Sequence, residues 1–438
     1  MKSLKRFFLS RATVISLICL MLGVVVGGYF IPQRFLTTPA ELERWQLAHP
    51  TFAILMRWFA LDHVYTSPWF ALVLLVFLVS LSLSTVEQFR AAFRRTFSPP
   101  GEGGEKAVLA APGSEVVAAI GKLGYLPVGK KGEGRRLVRH PWGYWGNFLL
   151  HLGIAVTIVA SLMIVLLEKR GLVELIEGEV YVPGAPWTSE ERGLISPSLR
   201  LAQPVRLDRI RAEFWENDNL KQLYTDFSFL SPTGAAAASY GMHINSTVYH
   251  DGIRVFQGKR HGHAFYVRLV DERGGRHDEI FPIPYPPKRD RAGYGEFILP
   301  WSPYGLKAKY YADASRRTMA GENPELVLRL TQGRRVVADL PLTRGGTGML
   351  GPYRATLVEV KRWAGLIFID AVGMGGIFFG FFIIVLGGAF NYFFPPREFT
   401  VRDADGGCRV SWRAAGSDRL YRDEYEAILN SFAGRAEQ

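Results

Sequence analysis

Nine histidines carry most of the side-chain chemistry that this sequence offers, and one of them stands in an unusual place. His151 lies inside a charge-free run, six residues after Trp145, which is about 9 Å along a helix axis. An ionisable side chain inside a membrane helix is costly and often functional. Asn147 precedes it by four residues and shares its helix face. The position leaves two interpretations open: a hydrogen bond between helices, or an axial ligand for haem iron.

His63, just before the second charge-free run, is a second candidate for a haem ligand. A histidine at a headgroup boundary is more often solvated than ligating. One histidine fills only one of the two axial positions on the iron, so the other would come from His63 or from a partner protein. His63 and His151 lie at opposite ends of their spans, which argues against their sharing one iron.

Three further histidines, His250, His261 and His263, raise the question of a metal site. Alternate residues of a strand share one face, so the geometry would allow it. No carboxylate or further histidine stands close to His261 and His263, and we expect these side chains to lie on the surface of strands. Asp251-Gly252 predicts a tight turn.

The sequence contains no self-contained catalytic pattern. A nucleophile elbow, a Walker loop, a dinucleotide fingerprint and an HExxH helix are all missing. The two cysteines, Cys19 and Cys408, fall in the first span and in the tail, and residues 169–366 contain none. We therefore expect no disulfide and no thiolate chemistry in that segment. Asp370 is interpreted as a residue of the membrane interface.

Four charge-free runs must position these residues, and each exceeds the roughly 20 residues that cross a bilayer core. They are residues 12–33, 64–86, 140–167 and 371–396. A fifth charge-free run, 227–250, is too rich in Ser, Gly and Asn to span. The predicted fold class is a polytopic α-helical membrane protein with four transmembrane helices, a large, mainly antiparallel β extracytoplasmic domain and a small cytoplasmic α/β loop module.

The net charge of +12 is explained by membrane topology and not by a nucleic-acid partner. Basic residues precede the first span, fill the segment 90–139 and follow the last span, as is typical of cytoplasmic membrane ends. Both termini are therefore predicted to be cytoplasmic. The predicted boundaries are transmembrane helices at 12–33, 67–87, 145–168 and 367–394, an extracytoplasmic loop at 34–66, a cytoplasmic module at 88–144, the extracytoplasmic β-rich domain at 169–366 and a cytoplasmic tail at 395–438.

Hydrophobic periodicity supports these assignments. Ser114 can cap a short helix that Gly124 ends. Alternating apolar residues, separated by turn signals, predict strands in the exported segment. They are residues 205–214, 263–270, 306–311 and 326–330.

Three stretches together resemble the ResB (CcsB) family. Residues 140–154 resemble its third span, 64–70 the start of its second span, and 243–257 the signature of its exported domain. The order of three spans, a large exported domain and a closing span also agrees, so the resemblance covers nearly the whole chain. The signature is carried by Asn245, Tyr249, Gly252, Phe256 and Gln257.

The resemblance implies a role in system II cytochrome c maturation in the bacterial cytoplasmic (inner) membrane. Such proteins work with a ResC/CcsA-like membrane protein to bring haem b to the outer face, where it is joined to reduced apocytochrome c. A thiol reductant such as a ResA-like thioredoxin protein would keep the apocytochrome cysteines reduced. The family's ligating histidine corresponds to His151, and its mate is expected from the partner.

Two departures from the family pattern limit which of the family's properties are expected in this chain. Family members often have a cysteine late in the second span, whereas this chain has Leu83-Ser84-Thr85. The tryptophan-rich motif and outer histidines of the partner family have no equivalent. We therefore expect a non-catalytic or half-site subunit of a haem–apocytochrome c ligase complex.

A membrane-anchored extracytoplasmic sensor or scaffold without haem is the alternative. It would require a cytoplasmic output, and the tail after Pro396 carries no signalling motif. A solute transporter fits less well, because the chain shows no pair of broken helices.

Overall fold

The computed structural model describes residues 2–35, 37, 39–97, 104–128, 134–415 and 418–433. The chain divides into two compact units, each with its own core. One comprises Met1–Leu166 together with Val372–Gln438, and the other is Leu167–Ala371, called here the β unit.

Four helices of the first unit are long and apolar enough to cross a membrane, as the sequence predicted. They are α2 (Arg11–Phe30), α5 (Pro68–Phe97), α7 (Gly146–Leu167) and α8 (Met374–Phe393). A helix of 20 residues is about 30 Å long, which matches the bilayer core. A 3-10 helix, Pro141–Trp145, leads into α7.

Shorter helices surround these four. They are α1 (Lys2–Phe8), α3 (Pro39–Ala48) and α4 (Pro50–Phe59), followed by the 3-10 helix Leu61–Thr66. The helix α5 continues ten residues past the predicted end of the second span, because a polar helix with arginines near its end follows the apolar part without a breaker. Helices α2, α5 and α7 share an apolar core that includes Phe70, Leu74 and Ile158.

Helices α7 and α8 lie in backbone contact along a stripe of small residues. A Cβ at Gly153 would come within 2.7 Å of the Gly380 carbonyl oxygen, and a Cβ at Gly387 within 2.6 Å of the Leu150 amide nitrogen. A Cβ at Gly376 would touch the Ala160 side chain at 2.9 Å. Small residues permit such an approach, which supplies the van der Waals packing that holds helices together in lipid.

A five-stranded antiparallel sheet joins two segments that are far apart in sequence. Its module comprises β1 (Glu105–Leu109), α6 (Gly113–Lys122), β2 (Leu126–Pro127), β3 (Arg135–Arg139), β19 (Arg397–Ala404), β20 (Gly407–Ala414) and α9 (Arg422–Ala433). The strand order in the sheet is β1-β20-β19-β3-β2. The predicted loop module and the predicted tail are thus one folded module. The Arg136–Glu398 ion pair, at 2.7 Å and with both side chains 3% exposed, links β3 to β19 inside it.

The β unit is an assembly of antiparallel sheets, as the alternating pattern predicted. Two strands of 18 residues, β11 (Ile253–Val270) and β18 (Tyr353–Asp370), pair along their length and contribute to both of its apolar cores. The other strands are β4 (Lys169–Ile176), β5 (Val180–Tyr181), β6 (Ser189–Arg192), β7 (Val205–Phe214), β8 (Leu220–Leu230), β9 (Ala236–His243), β10 (Thr247–His250), β12 (Arg276–Pro284), β13 (Gly293–Ile298), β14 (Gly305–Tyr311), β15 (Glu325–Gln332), β16 (Arg335–Leu342) and β17 (Thr347–Leu350).

Candidate functional site

His151 lies in the second turn of α7 and is half-buried. Its Nδ1 is 2.8 Å from the backbone oxygen of Asn147, one helical turn earlier. A carbonyl oxygen only accepts hydrogen bonds, so Nδ1 carries the proton and Nε2 keeps its lone pair. Metal-bound histidines are usually held in this way, with the second ring nitrogen donating to a carbonyl or carboxylate.

The face of α7 that carries His151 is the one packed against α5. Ala155, Ile158 and Leu162 follow His151 at helical spacing and belong to the apolar core that α5 shares. The Phe148 ring meets Phe89 of α5 edge-on at 5.4 Å. The face of α7 on which His151 lies is therefore apolar and aromatic, and the His151 side chain itself is only half-buried.

Asn147 connects this site to α8. Its side-chain Oδ1 accepts a hydrogen bond from Asn391 Nδ2 at 2.8 Å. Among the described residues, the hydrogen bond between α7 and α8 is therefore made by the two asparagines, whereas His151 bonds within its own helix. Asn391 was not predicted from the sequence, although an amide in an otherwise apolar span was the signal that could have revealed it.

His63 has an ordered environment of its own. Its Nδ1 lies 2.8 Å from Asp62 Oδ1, so in the neutral ring Nδ1 carries the proton and Nε2 keeps its lone pair. Burial opposes ionisation of Asp62, but the hydrogen bond and charge of His63 hold the pKa of that carboxyl below its usual value. Helices α5 and α7 are antiparallel, because Phe89 meets Phe148 whereas Phe70 shares a core with Val165. His63 precedes the start of α5, and His151 lies near the start of the antiparallel helix α7, so the structure does not bring them together.

The expectation that His263 lies on a strand surface is wrong. Its ring is 2% exposed, and burial, followed by the charge of Arg362, lowers the pKa of His263 to about 3. His261 is also largely enclosed and stacks on Tyr285 at 5.3 Å. A cover of aromatic side chains and the backbone of Gly321 encloses the pair. These neighbours are distant in sequence, and strand alternation does not reveal them.

His250 is held by neighbouring side chains. Its Nδ1 lies 3.0 Å from the Tyr240 hydroxyl, and its ring stacks on Phe229 at 3.8 Å. The described residues contain no group of three or more His, Cys, Asp and Glu side chains that could hold a metal ion.

The residues of the exported-domain signature build hairpins. Asn245 adopts φ 65° in the turn before β10, and Asp251 and Gly252 adopt φ 47° and 80° between β10 and β11. Two positive φ values in a two-residue loop are typical of a type I′ hairpin, which confirms the predicted turn. Their shared role in the structure is to shape the chain that enters β11.

The last two signature residues and Tyr249 lie on either side of that turn. Gln257 accepts a hydrogen bond from Thr225 on β8 and donates one to the Gly365 carbonyl on β18. Phe256 pairs with Ile367 in the sheet, and Tyr249 is exposed beneath the Arg254 guanidinium. The signature therefore joins β8, β11 and β18.

Comparison with known proteins gives one family. No curated protein matches the chain. The model of the ResB-like family matches residues 11–350, which include α2, α5, α7 and most of the β unit. A match over most of the chain, together with four apolar helices and an antiparallel β unit between the third and the fourth, shows that this protein belongs to the ResB-like family.

Proposed function

We propose that this protein is the ResB-like subunit of a system II cytochrome c synthase, in which it holds haem b during delivery across the membrane. Family membership suggests involvement in cytochrome c biogenesis. The observation that carries the finer proposal is the His151 imidazole, with its Nδ1 proton bonded to the Asn147 carbonyl and its Nε2 lone pair free for iron. Haem is the substrate here, passing through the site.

The surroundings of His151 suit this substrate. The macrocycle of haem is flat and apolar, and the apolar faces of α5 and α7, with Phe89 on the first and Phe148 on the second, offer contacts of that kind. A hydrogen bond from Nδ1 to a carbonyl makes the imidazole a better electron-pair donor to the metal. His151 would fill one axial position, and the other falls to a histidine of the ResC/CcsA-like partner.

Transfer to the cytochrome requires chemistry that this chain does not supply. In thioether formation each cysteine adds across a haem vinyl group: sulfur bonds to one vinyl carbon, and the thiol proton is transferred to the other. Both cysteines must be reduced, and haem must lie beside them. Since the β unit contains no cysteine, a ResA-like thioredoxin protein would maintain the thiols of apocytochrome c.

The proposed orientation follows from charge. Basic residues before α2, after α5 and after α8 favour a cytoplasmic position for both termini and for the five-stranded module. The β unit then lies outside the bacterial inner membrane, on the side where cytochromes c are assembled. It would serve as a platform for the partner and for apocytochrome c.

The test is the reduced-minus-oxidised haem spectrum of the purified full chain, with and without its ResC/CcsA-like partner. His151→Ala is expected to lower the b-type signal per protein at least about tenfold, since an iron–imidazole bond is lost. His49→Ala removes an exposed histidine of the same unit and is expected to leave the signal unchanged. Equal haem in the wild type and in His151→Ala would contradict the proposal.

A further inference from the structure

The β unit contains a cleft of about 720 Å³ beside the start of β4 and the end of β18. That volume is typical of sites for small molecules. The cleft is formed by the segment after β6, the β10–β11 turn and the ends of β4, β6 and β18. Its lining includes Lys169, Arg192, Leu199, Arg200, Leu201 and Ile253.

Two positive charges in this cleft have no neutralising partner among the described residues. Arg192 and Arg200 are exposed and form no ion pair with any described carboxylate. Lys169, by contrast, is paired with Asp370 at 2.8 Å. A guanidinium offers five donors in a plane, an arrangement that matches the oxygens of phosphate or carboxylate groups. Asp251 also lines the cleft, where its exposed carboxylate lies 3.6 Å from His250 Nε2. Three cationic side chains in the lining thus stand against two carboxylates, and the remaining positive charge favours an anionic group.

Apolar side chains lie between these arginines in the sequence. Leu194 is 39% exposed and Ile195 is 69% exposed, although both belong to a folded segment. Cations flanking exposed aliphatic residues are typical of a surface that meets an amphiphile, with headgroup and hydrocarbon contacted together.

The segment is held in place by hydrogen bonds. Gly193 N donates to the Glu168 carbonyl at 2.7 Å, and Ser196 Oγ donates to the Leu167 carbonyl at 2.6 Å. Trp187 Nε1 donates to the Leu199 carbonyl at 3.0 Å. The segment 193–199 is thus held in place by its backbone, with Leu194 and Ile195 beside the cleft rather than in its lining.

Two residues that line the cleft stand close in sequence to the apolar helices. Lys169 follows the last residue of α7 by two positions, and Asp370 precedes the first residue of α8 by four. Extended chain covers at most about 3.6 Å per residue, so these tethers reach about 7 Å and 14 Å. Since α7 and α8 are apolar enough to span a bilayer, these short connections allow Lys169 and Asp370 to lie near the headgroups.

We infer that the cleft binds the phosphate headgroup of an anionic membrane phospholipid. Arg192 and Arg200 bind the phosphate, and Leu194 and Ile195 enter the acyl boundary. The site ties the β unit to the bilayer surface by contacts additional to the two covalent connections. It requires no haem, so it stands or falls separately from the function proposed above.

The experiment uses the full chain in nanodiscs and follows hydrogen–deuterium exchange of residues 193–203. One set of discs contains phosphatidylcholine alone, and the other contains phosphatidylcholine and phosphatidylglycerol in equal parts. Wild-type protein is expected to exchange about tenfold more slowly in this segment when phosphatidylglycerol is present, because charge-assisted hydrogen bonds form. Arg192→Gln/Arg200→Gln and Leu194→Ser/Ile195→Ser are each expected to lose most of that protection.

Arg334→Gln/Arg344→Gln is the matched control. It removes two positive charges, as the cleft variant does, from exposed arginines that have no described ion-pair partner. We expect this variant to show the same protection by phosphatidylglycerol as the wild type. Three results would overturn the inference: equal protection in the cleft arginine variant, protection by inorganic phosphate in phosphatidylcholine discs, or protection by haemin but not by phosphatidylglycerol. The last two would assign the cleft to a free anion or to haem propionates.

Discussion

His151 and His263 both lie on regular elements in apolar parts of this protein. Their surroundings differ in whether they leave the second ring nitrogen accessible. His151 bonds Nδ1 to its own helix and keeps an accessible ring, with Nε2 available to a ligand. His263 has Nδ1 at 3.2 Å from the Tyr310 hydroxyl, while its Nε2 is sealed in the β unit without a hydrogen-bond partner among the described residues. Of these two histidines, only His151 leaves its second ring nitrogen accessible to a ligand.

The difference has a structural origin. The partner of His151 is four residues away in a helix, so the helical hydrogen-bond geometry alone provides it. His263 lies on β11 between β12 and β18, and it is covered by β14 and by Gly321. Its environment is assembled from segments up to 100 residues apart, and packing there serves the core.

Removal of the His263 side chain gives the largest expected effect on stability. His263→Ala leaves a cavity in a filled core, and we expect the β unit to lose about 2–5 kcal/mol in its free energy of unfolding. Haem per folded protein should not change. Pulse proteolysis of the full chain in urea, scored on fragments from 167–371, measures the loss. Lower haem content at unchanged stability would reverse the roles assigned to the two histidines.

Acid should weaken the β unit through the same residue. The unfolded chain binds a proton at His263 below about pH 6.5, whereas the folded chain binds it only near the lowered pKa of about 3. The unfolded state thus holds more protons between these values, and stability falls as the pH falls through that window. At pH 5 the loss relative to pH 7 is about 2 kcal/mol.

Hydrogen exchange of β11 amides, corrected for the intrinsic effect of pH, checks this expectation. His263→Phe should remove that part of the pH dependence, because the unfolded variant has no imidazole to protonate there. His277→Gln, a change at a partly exposed histidine, should keep it. The same slope in wild type and His263→Phe would show that other groups cause the acid sensitivity.

The two regions also show where sequence reasoning succeeds. Local patterns predicted four apolar helices, the strand at β7 and the turn at Asp251-Gly252. They failed where distant segments meet. The surface position expected for His263 was wrong, and the pairing of β3 with β19, which makes one module of two separate segments, was not anticipated. The candidate ligand was found because a polar residue in a membrane span is conspicuous, whereas the cleft arginines resemble any solvated surface.

Adjacent glycines in α8 test whether the His151 helix is held by close packing. Gly387→Ala would place a Cβ 2.6 Å from the Leu150 amide nitrogen, while a Cβ at Gly388 meets nothing within 4 Å. We expect Gly387→Ala to cost about 1–3 kcal/mol and to lower haem retention, since overpacking displaces α7. Gly388→Ala should be neutral or slightly stabilising. Thermal unfolding midpoints in detergent measure both, and equal midpoints would contradict the close contact.

Asn147→Ala gives the smallest expected effect. It distinguishes the contribution of the residue 147 carbonyl from that of the Asn147 side chain. His151 bonds to the backbone carbonyl of residue 147, which alanine retains, so the haem signal should remain near that of wild type. The bond from Asn391 to the Asn147 side chain is lost, and bonds of this kind between membrane helices contribute about 0.6 kcal/mol. Asn391→Ala breaks the same bond, so it should lower the unfolding midpoint by as much as Asn147→Ala does. The double variant should unfold at nearly the same midpoint as either single variant. A large loss of haem in Asn147→Ala would mean that the side chain, and not the carbonyl, orients the imidazole.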